Sequence, residues 1–396
     1  MIYSKHFPRD RGGVVTEKVS IERCDVYEYP RLREAVVSLL RPLGGLEAFV
    51  GPGERVLLKP NMLAAKLPEE AVTTHPALVR VVADLVREAG GEVMIGDSPG
   101  IGAFRRVAER SGILRAATES GVRLVPFDDT VEVRGTGTFR RIAVARAYWE
   151  ADKIINLPKL KTHEMMTMTC AVKNLFGAVV GAEKAAWHLK AGTSREFFAR
   201  VLLEICLLKR PTLNIVDAVW AMEGNGPASG DPFHLGALLA GVNAVAVDVV
   251  AARLAGIPAD LLHVEREALR QGVPGSRLED IEVVGARAEG FTQRPFRLPG
   301  GLDVQFGLPR FLKDALRNHL MACPGANRER CRLCGICRDA CPPRAIAIKN
   351  SALSIDSGRC IRCWCCRELC PHDAMEVREG MLLKLVALLD RRRRGR

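Results

Sequence analysis

The sequence predicts a large α/β domain built on a mainly parallel sheet, followed by a small cysteine-rich α+β module. Three observations carry this expectation. Over residues 1–285, short apolar runs closed by Pro, Gly or Asn alternate with stretches whose apolar residues recur at helical spacing. Residues 286–321 hold Pro295, Pro299, Gly300, Gly301 and Pro309, and read as a linker with a short helix near its end. Beyond it, ten of the thirteen cysteines fall between Cys323 and Cys370.

In the large domain, Arg55–Lys59 is an apolar run closed by Pro60-Asn61 and reads as a buried strand. Pro76–Ala89 follows as a helix, with Val79, Val82, Leu85 and Val86 on one face and Gly90-Gly91 as its stop. Glu92–Gly96 is a second strand, ending at Asp97-Ser98-Pro99-Gly100. Phe104–Ser111 is a helix and Arg123–Phe127 a strand. Lys153–Leu157 and Leu213–Val216 are further strands, and Val242–Val247 is expected as another that leads into a helix through Leu254. Strands alternating with helices give parallel pairing, because a crossover helix must return the chain to the same end of the sheet.

The bulk properties narrow the classes. The 396 residues are 48% hydrophobic and 26% charged, as expected for two or three globular domains. No run approaches the roughly 18 apolar residues of a membrane span. The N-terminus, Met1-Ile2-Tyr3-Ser4-Lys5-His6, lacks the pattern of a signal peptide, which predicts a cytoplasmic location. A disulfide scaffold suits small secreted domains, so dense cysteines in this chain favour metal ligation. Of the formal charge of +12, residues 323–380 carry +3 and the basic tail, residues 381–396, carries +5. The charge is therefore concentrated at the C-terminus, and no specific nucleic-acid groove is expected. The tail, apolar over Met381–Leu389 except for Lys384, reads as a capping helix with a basic end; peripheral contact with a membrane surface is the alternative.

The cysteines form a duplicated motif. Cys331-x2-Cys334-x2-Cys337-x3-Cys341-Pro342 recurs 29 positions later as Cys360-x2-Cys363-x2-Cys366-x3-Cys370-Pro371. The echo continues into Ala345–Ile348 and Ala374–Val377, expected as paired strand segments after each short helix. Three cysteines at i, i+3 and i+6 on a tight loop reach three irons of one cubane, while the fourth, before proline, reaches the other cluster. One [4Fe–4S] cluster is thus assigned to Cys331, Cys334, Cys337 and Cys370, and the second to Cys360, Cys363, Cys366 and Cys341. A lone Cys-x2-Cys pair would leave zinc open; two three-cysteine loops make it the weaker assignment. Register favours Cys366 over its neighbour Cys365 as ligand, and Cys323 reads as a packed or spare thiol. Residues 322–380 resemble bacterial two-cluster ferredoxins, which implies a ferredoxin-like fold and one-electron transfer.

A second resemblance covers roughly residues 20–285. Leu57-Leu58-Lys59-Pro60-Asn61, Gly96-Asp97-Ser98-Pro99-Gly100, Asn156-Leu157-Pro158-Lys159-Leu160-Lys161-Thr162-His163 and Val172-Lys173-Asn174-Leu175-Phe176-Gly177 stand in order. The series is similar to the iron–sulfur centre proteins grouped as domain of unknown function 362. That resemblance implies a fold and an iron–sulfur association, and it supplies no reaction.

Polar residues just beyond parallel strands line the crevice where α/β proteins bind ligands. Lys59, Asn61, Asp97, Ser98, Lys159, Lys161, His163, Asp217 and Glu223 hold such positions, with Lys173-Asn174 nearby. Converging lysines with a histidine point to an anionic small-molecule substrate, and the acids to proton transfer or a metal. Lys161, His163, Asp97 and Lys173 are the candidate catalytic residues. Each also has a bland reading: a solvated lysine, a helix-capping Asp97, a structural His163. Gly224-x-Gly226-x3-Gly230 is a weak nucleotide-loop candidate, since Pro227 and Asp231-Pro232 interrupt what should become a helix. Met165, Met166 and Met168 read as core filling. The expected function is an iron–sulfur oxidoreductase served by a redox partner protein. The competing class is a non-catalytic electron carrier or assembly protein whose large domain docks a partner, and a zinc-stabilised binding module is the weakest reading.

Overall fold

Runs too short and too apolar for surface helices form one central sheet in the computed structural model of the chain, which describes residues 16–100, 102–192, 194–291, 294–299 and 323–378. The first strands are β1 (Glu17–Arg23), β2 (Arg55–Pro60), β3 (Glu92–Asp97) and β4 (Arg123–Pro126). A separate hairpin follows, β5 (Thr130–Arg134) with β6 (Arg141–Ala145). Then come β7 (Lys153–Leu157), β8 (Lys159–His163), β9 (Thr167–Thr169), β10 (Leu213–Glu223), β11 (Asp231–Gly241) and β12 (Ile281–Gly285). The sheet runs β12-β1-β11-β10-β7-β2-β3-β4, with β8 and β9 branching from β10. Every neighbour from β10 through β7, β2 and β3 to β4 is parallel, whereas β11 is antiparallel to both β1 and β10. The expected mainly parallel α/β domain is what forms.

The two faces carry separate cores. Leu32, Val36, Leu78 and Val82, from helices Tyr29–Leu40 and Pro76–Glu88, cover one face. Phe198, Leu202, Val247 and Ala251, from helices Arg195–Leu208 and Ala244–Leu254, cover the other. Chain order reverses between β2 and β7: the chain leaves β2 toward β3 and β4, and β7 returns on the opposite side. Such a switch point leaves a crevice at the carboxyl ends of the strands.

Two expectations change. Val242–Val247 is not a strand. Asn243 accepts from the amides of Val245 (2.9 Å) and Ala246 (3.4 Å), capping a buried helix at Ala244, while the strand is the preceding β11. A short apolar run fits a buried strand or a buried helix equally well, and the cap decides. The expected linker also begins later than residue 286. Phe291 and Phe296 are buried, and Arg294 and Arg297 clasp Glu223 at 2.7 Å each, so this stretch packs on the large domain. The rest of the linker, residues 300–321, where a short helix is expected, and the basic tail, residues 381–396, lie outside the described residues.

The cysteine-rich part is two copies of one unit offset by 29 residues. β13 (Cys323–Ala326), a short helix at Ile336–Asp339 and β14 (Ile346–Lys349) match β15 (Ala352–Ile355), a short helix at Cys365–Glu368 and β16 (Met375–Arg378). The strands after each helix, expected to pair, do not pair with one another. β14 pairs with β15 and β16 with β13, each antiparallel, so the copies exchange strands about an approximate two-fold axis. The backbone repeats in detail: positive φ occurs at Leu333 and Arg362, at Gly335 and Trp364, and at Arg344 and Asp373.

Candidate functional site

The switch-point crevice is crossed by a chain of buried amides. Asn61 donates to Asn174 (2.9 Å), Asn174 to Asn156 (2.8 Å) and Asn156 to Asn214 (2.9 Å), tying the ends of β2, β7 and β10 to the turn Ala171–Asn174. Each amide spends both its donor and its acceptor on a neighbour, so the row is rigid and fixes what stands above it. Lys59 forms a buried ion pair with Asp97 at 2.8 Å, and the other Asp97 oxygen accepts the Met62 amide at 2.9 Å. Burial pushes the Lys59 ammonium below its ordinary pKa and Asp97 pulls it back. Gly177 is required here: a Cβ would lie 2.1 Å from Asp97 Oδ1 and 2.5 Å from Lys59 Nζ. Asp97 is therefore an ion-pair partner and turn organiser, and the helix beginning at Phe104 starts from Ala103 without a side-chain cap.

A cavity of about 630 Å³ opens above this pair, between the large domain and the cysteine-rich part. Its wall on one side includes Asp97, Lys161, Lys173 and Lys184, and on the other Cys341, Arg344 and Cys365. Lys161 is fully buried apart from this opening and donates to Asn61 Oδ1 (3.1 Å) and to the Val72 carbonyl (2.6 Å). Lys184 donates to the carbonyls of Ser98 and Pro99, the latter at 3.3 Å. Its ammonium is pushed down to about 8, by burial first, with Asp97 opposing and Lys59 and Lys173 adding to the fall. His188, one turn along the helix Ala182–Ala191, also lines the cavity and stacks on Phe198 at 4.3 Å.

Of the four candidate catalytic residues, the structure brings Lys161, Asp97 and Lys173 to the cavity and leaves His163 behind. His163 is fully buried at the end of β8, where its Nδ1 accepts the amides of Met165 and Met166, both at 3.1 Å, and so shapes the turn into β9. Lys159 and Asp217 do not reach the cavity either. They form a buried pair at 2.9 Å, closed over by the Tyr27 hydroxyl (2.5 Å from Asp217) and by His75, whose ring stacks on Tyr27 at 3.5 Å. Glu223 is committed to Arg294 and Arg297, which hold its carboxyl down at about 2. The glycines after it shape the β10–β11 connection, and no helix follows them. Met165, Met166 and Met168 are core, as expected.

Lys184, His188 and Arg344 also line the cavity, although no motif in the sequence marks them. Lys184 and His188 stand four apart on one helix, a spacing that marks a shared face but occurs too often to single out a site. Arg344 joins the site only through the docking of two distant chain segments.

The thiols gather around Cys337 and Cys366, and the two gatherings meet at Cys337. The thiols that raise Cys337, after burial, are Cys370, Cys334 and Cys331, and together they push it up to about 11. Those around Cys366 are Cys363, Cys360, Cys337 and Cys341. The amide of Ala345 donates to Cys341 Sγ and that of Ala374 to Cys370 Sγ, both at 3.2 Å. Cys366 is buried within its group, while Cys365 faces the cavity, and Cys323 Sγ accepts from Arg362 Nε at 3.2 Å. Among the described residues, no three or more His, Cys, Asp or Glu stand where one metal ion would bind them all. Among the described residues, too, no helix is long and apolar enough to cross a membrane.

A family model described as "Domain of unknown function (DUF362)" matches residues 56–253. The chain is 37% identical over 305 residues to the thylakoid-associated protein sll1697 of Synechocystis sp., covering 77% of this chain and 95% of that protein. Among solved structures, the lactate racemase apoprotein from Thermoanaerobacterium thermosaccharolyticum is similar over 63% of this chain and 60% of its own, at 11% identity and a TM-score of 0.39. A protein from Thermotoga maritima matches over 59% of this chain and 60% of its own, at 14% identity and a TM-score of 0.38. Likenesses this distant carry no argument about chemistry.

Proposed function

Because the chain belongs to the family described as domain of unknown function DUF362, a description that names no reaction, we propose a function from the site itself: an iron–sulfur oxidoreductase. In this reading a ferredoxin-like C-terminal domain holds two [4Fe–4S] clusters. Cys331, Cys334, Cys337 and Cys370 ligate one, and Cys360, Cys363, Cys366 and Cys341 the other. An anionic ligand in the cavity is oxidised or reduced beside the second set.

The observation that supports this reading is the gathering of the thiols: Cys370, Cys334 and Cys331 act on Cys337, and Cys363, Cys360 and Cys341 act on Cys366, with Cys337 of the first set also close to Cys366. A cubane takes one thiolate per iron, so its sulfurs are spread more widely than around a zinc ion ligated at about 2.3 Å. The amides of Ala345 and Ala374 donate to the sulfurs of the two cysteines that precede proline, and hydrogen bonds to ligand sulfur are one means of setting a cluster's potential. Bound clusters supply one-electron transfer. The large domain contributes Lys161, Lys173 and Lys184 to hold an anion, with Asp97 anchored by Lys59 beneath it. Cys341, assigned to the second set, shares the cavity wall with these lysines, so a bound ligand would sit next to that set.

The test is elemental and spectroscopic. Protein prepared anaerobically should contain about eight irons and eight acid-labile sulfides per chain, and dithionite reduction should give paramagnetic signals of two interacting clusters. Stoichiometric zinc with little iron ends the proposal.

A further inference from the structure

We propose that Lys184 is the principal anion-gripping residue of the cavity, and that a ligand bearing carboxylate or phosphate-type oxygens supplies the counter-charge it lacks. This rests on reading the cavity as a ligand site.

The argument is one of charge balance. The Lys184 side chain is half-buried at the cavity wall and its hydrogen-bond partners, the carbonyls of Ser98 and Pro99, are neutral. Asp97, the carboxylate acting on it, is already paired with Lys59 at 2.8 Å and with the Met62 amide. Lys59 and Lys173 add positive potential from two other elements. Carbonyl dipoles satisfy the N–H groups but do not neutralise a charge removed from water. The wall is therefore short of negative charge at the point where Lys184 meets the cavity. The remaining charged groups on that wall do not make up the deficit. Lys161, Lys173 and Arg344 are cations, Asp339 is ion-paired with Arg338 at 2.7 Å, and the other titratable groups facing the space are His188 on the helix of Lys184 and the thiols of Cys341 and Cys365 opposite. At about 630 Å³ the space suits a small molecule.

A linkage follows. Free Lys184 titrates near pH 8, so at that pH about half of the molecules carry the ammonium. A bound anion favours the charged form and raises its pKa, so binding takes up a proton, and affinity falls as pH rises through 8. Between pH 7 and pH 9 the charged fraction drops about tenfold, and affinity should drop with it.

The experiment is calorimetric titration of the full chain with sulfate and, separately, with malonate, both fully ionised from pH 7 to 9. Two buffers of different ionisation enthalpy measure proton uptake at pH 8. The expected result is binding of at least one anion, uptake of about half a proton, and the tenfold loss of affinity toward pH 9. Preference for sulfate identifies a phosphate-type ligand and preference for malonate a dicarboxylate; either supports the proposal. Lys184→Met should weaken binding ten- to hundredfold and abolish proton uptake, whereas Lys184→Arg should bind without uptake, because a guanidinium stays charged. Binding and proton uptake unchanged in the Met variant, or no binding of either anion by the wild-type chain, overturns the proposal. Iron and sulfide content of the same samples reports on the clusters, so failure of one reading is not mistaken for failure of the other.

Discussion

The two 29-residue copies share a backbone and differ in what surrounds it. Each opens with a side chain that accepts two successive loop amides: Asn327 from Glu329 and Arg330, Asp356 from Gly358 and Arg359. Each places left-handed residues at the same three positions. Yet Cys334 is exposed where its counterpart Cys363 is buried, and Cys331 is half-buried where Cys360 is buried. The difference lies in a few diverged side chains. Gly335 takes its positive φ without strain; at the matching position Trp364 holds φ 62° and inserts into the core of the large domain. Arg338 pairs with its neighbour Asp339 in solvent, whereas Arg367 reaches Glu164 in a buried pair. Asp373 meets Lys66 at 3.3 Å and Ser229 at 2.7 Å. A repeated local sequence sets the loop, and the residues that break the repeat dock one copy and leave the other open.

The largest expected effect tests whether the two loops are equivalent ligand sets. Cys337→Ser and Cys366→Ser should each remove about four of about eight irons, while Cys365→Ser keeps all of them. Elemental analysis with paramagnetic resonance decides this. Iron loss in the Cys365 variant alone would reverse the choice of ligand and break the match between copies.

Docking comes next. Trp364→Ala should destabilise the protein by about 3–5 kcal/mol through the lost core contact. Trp364→Gly should recover about 1 kcal/mol of that, because glycine accepts the left-handed backbone at no steric cost. Chemical denaturation of the three proteins reads both numbers. If alanine and glycine are equally stable, the strain assigned to Trp364 is absent.

The arginines sharpen the contrast. Arg367→Ala leaves Glu164 buried without its partner and should cost about 3–5 kcal/mol. Arg338→Ala, 29 positions earlier and exposed, should leave the denaturation midpoint unchanged. Equal losses would mean that the copies are buried alike in solution. The smallest effect is reserved for Lys66→Ala, whose half-exposed pairs with Glu70 and Asp373 should contribute about 0.2–1 kcal/mol, falling further in high salt.

By itself the sequence determined what depends on neighbours along the chain. Strands β2, β3, β4 and β7 were legible because a short apolar run closed by Pro, Gly or Asp has few other local solutions. The two repeated cysteine loops were legible because three cysteines within seven residues are a property of one local segment. The lysines and Asp97 after the parallel strands were legible as a class, since carboxyl ends of parallel strands must face a common edge. Which of them share a cavity was decided only by the tertiary structure. His163 turned inward to bind two amides of its own turn, and Glu223 met arginines about 70 residues further along. Lys159 and Asp217 closed on each other beneath Tyr27. Lys184 joined through a helix with no motif, and Arg344 and Cys341 through the docking of the cysteine-rich part. Burial and charge balance are sums over groups brought together from the whole chain, and no window along the sequence contains those sums.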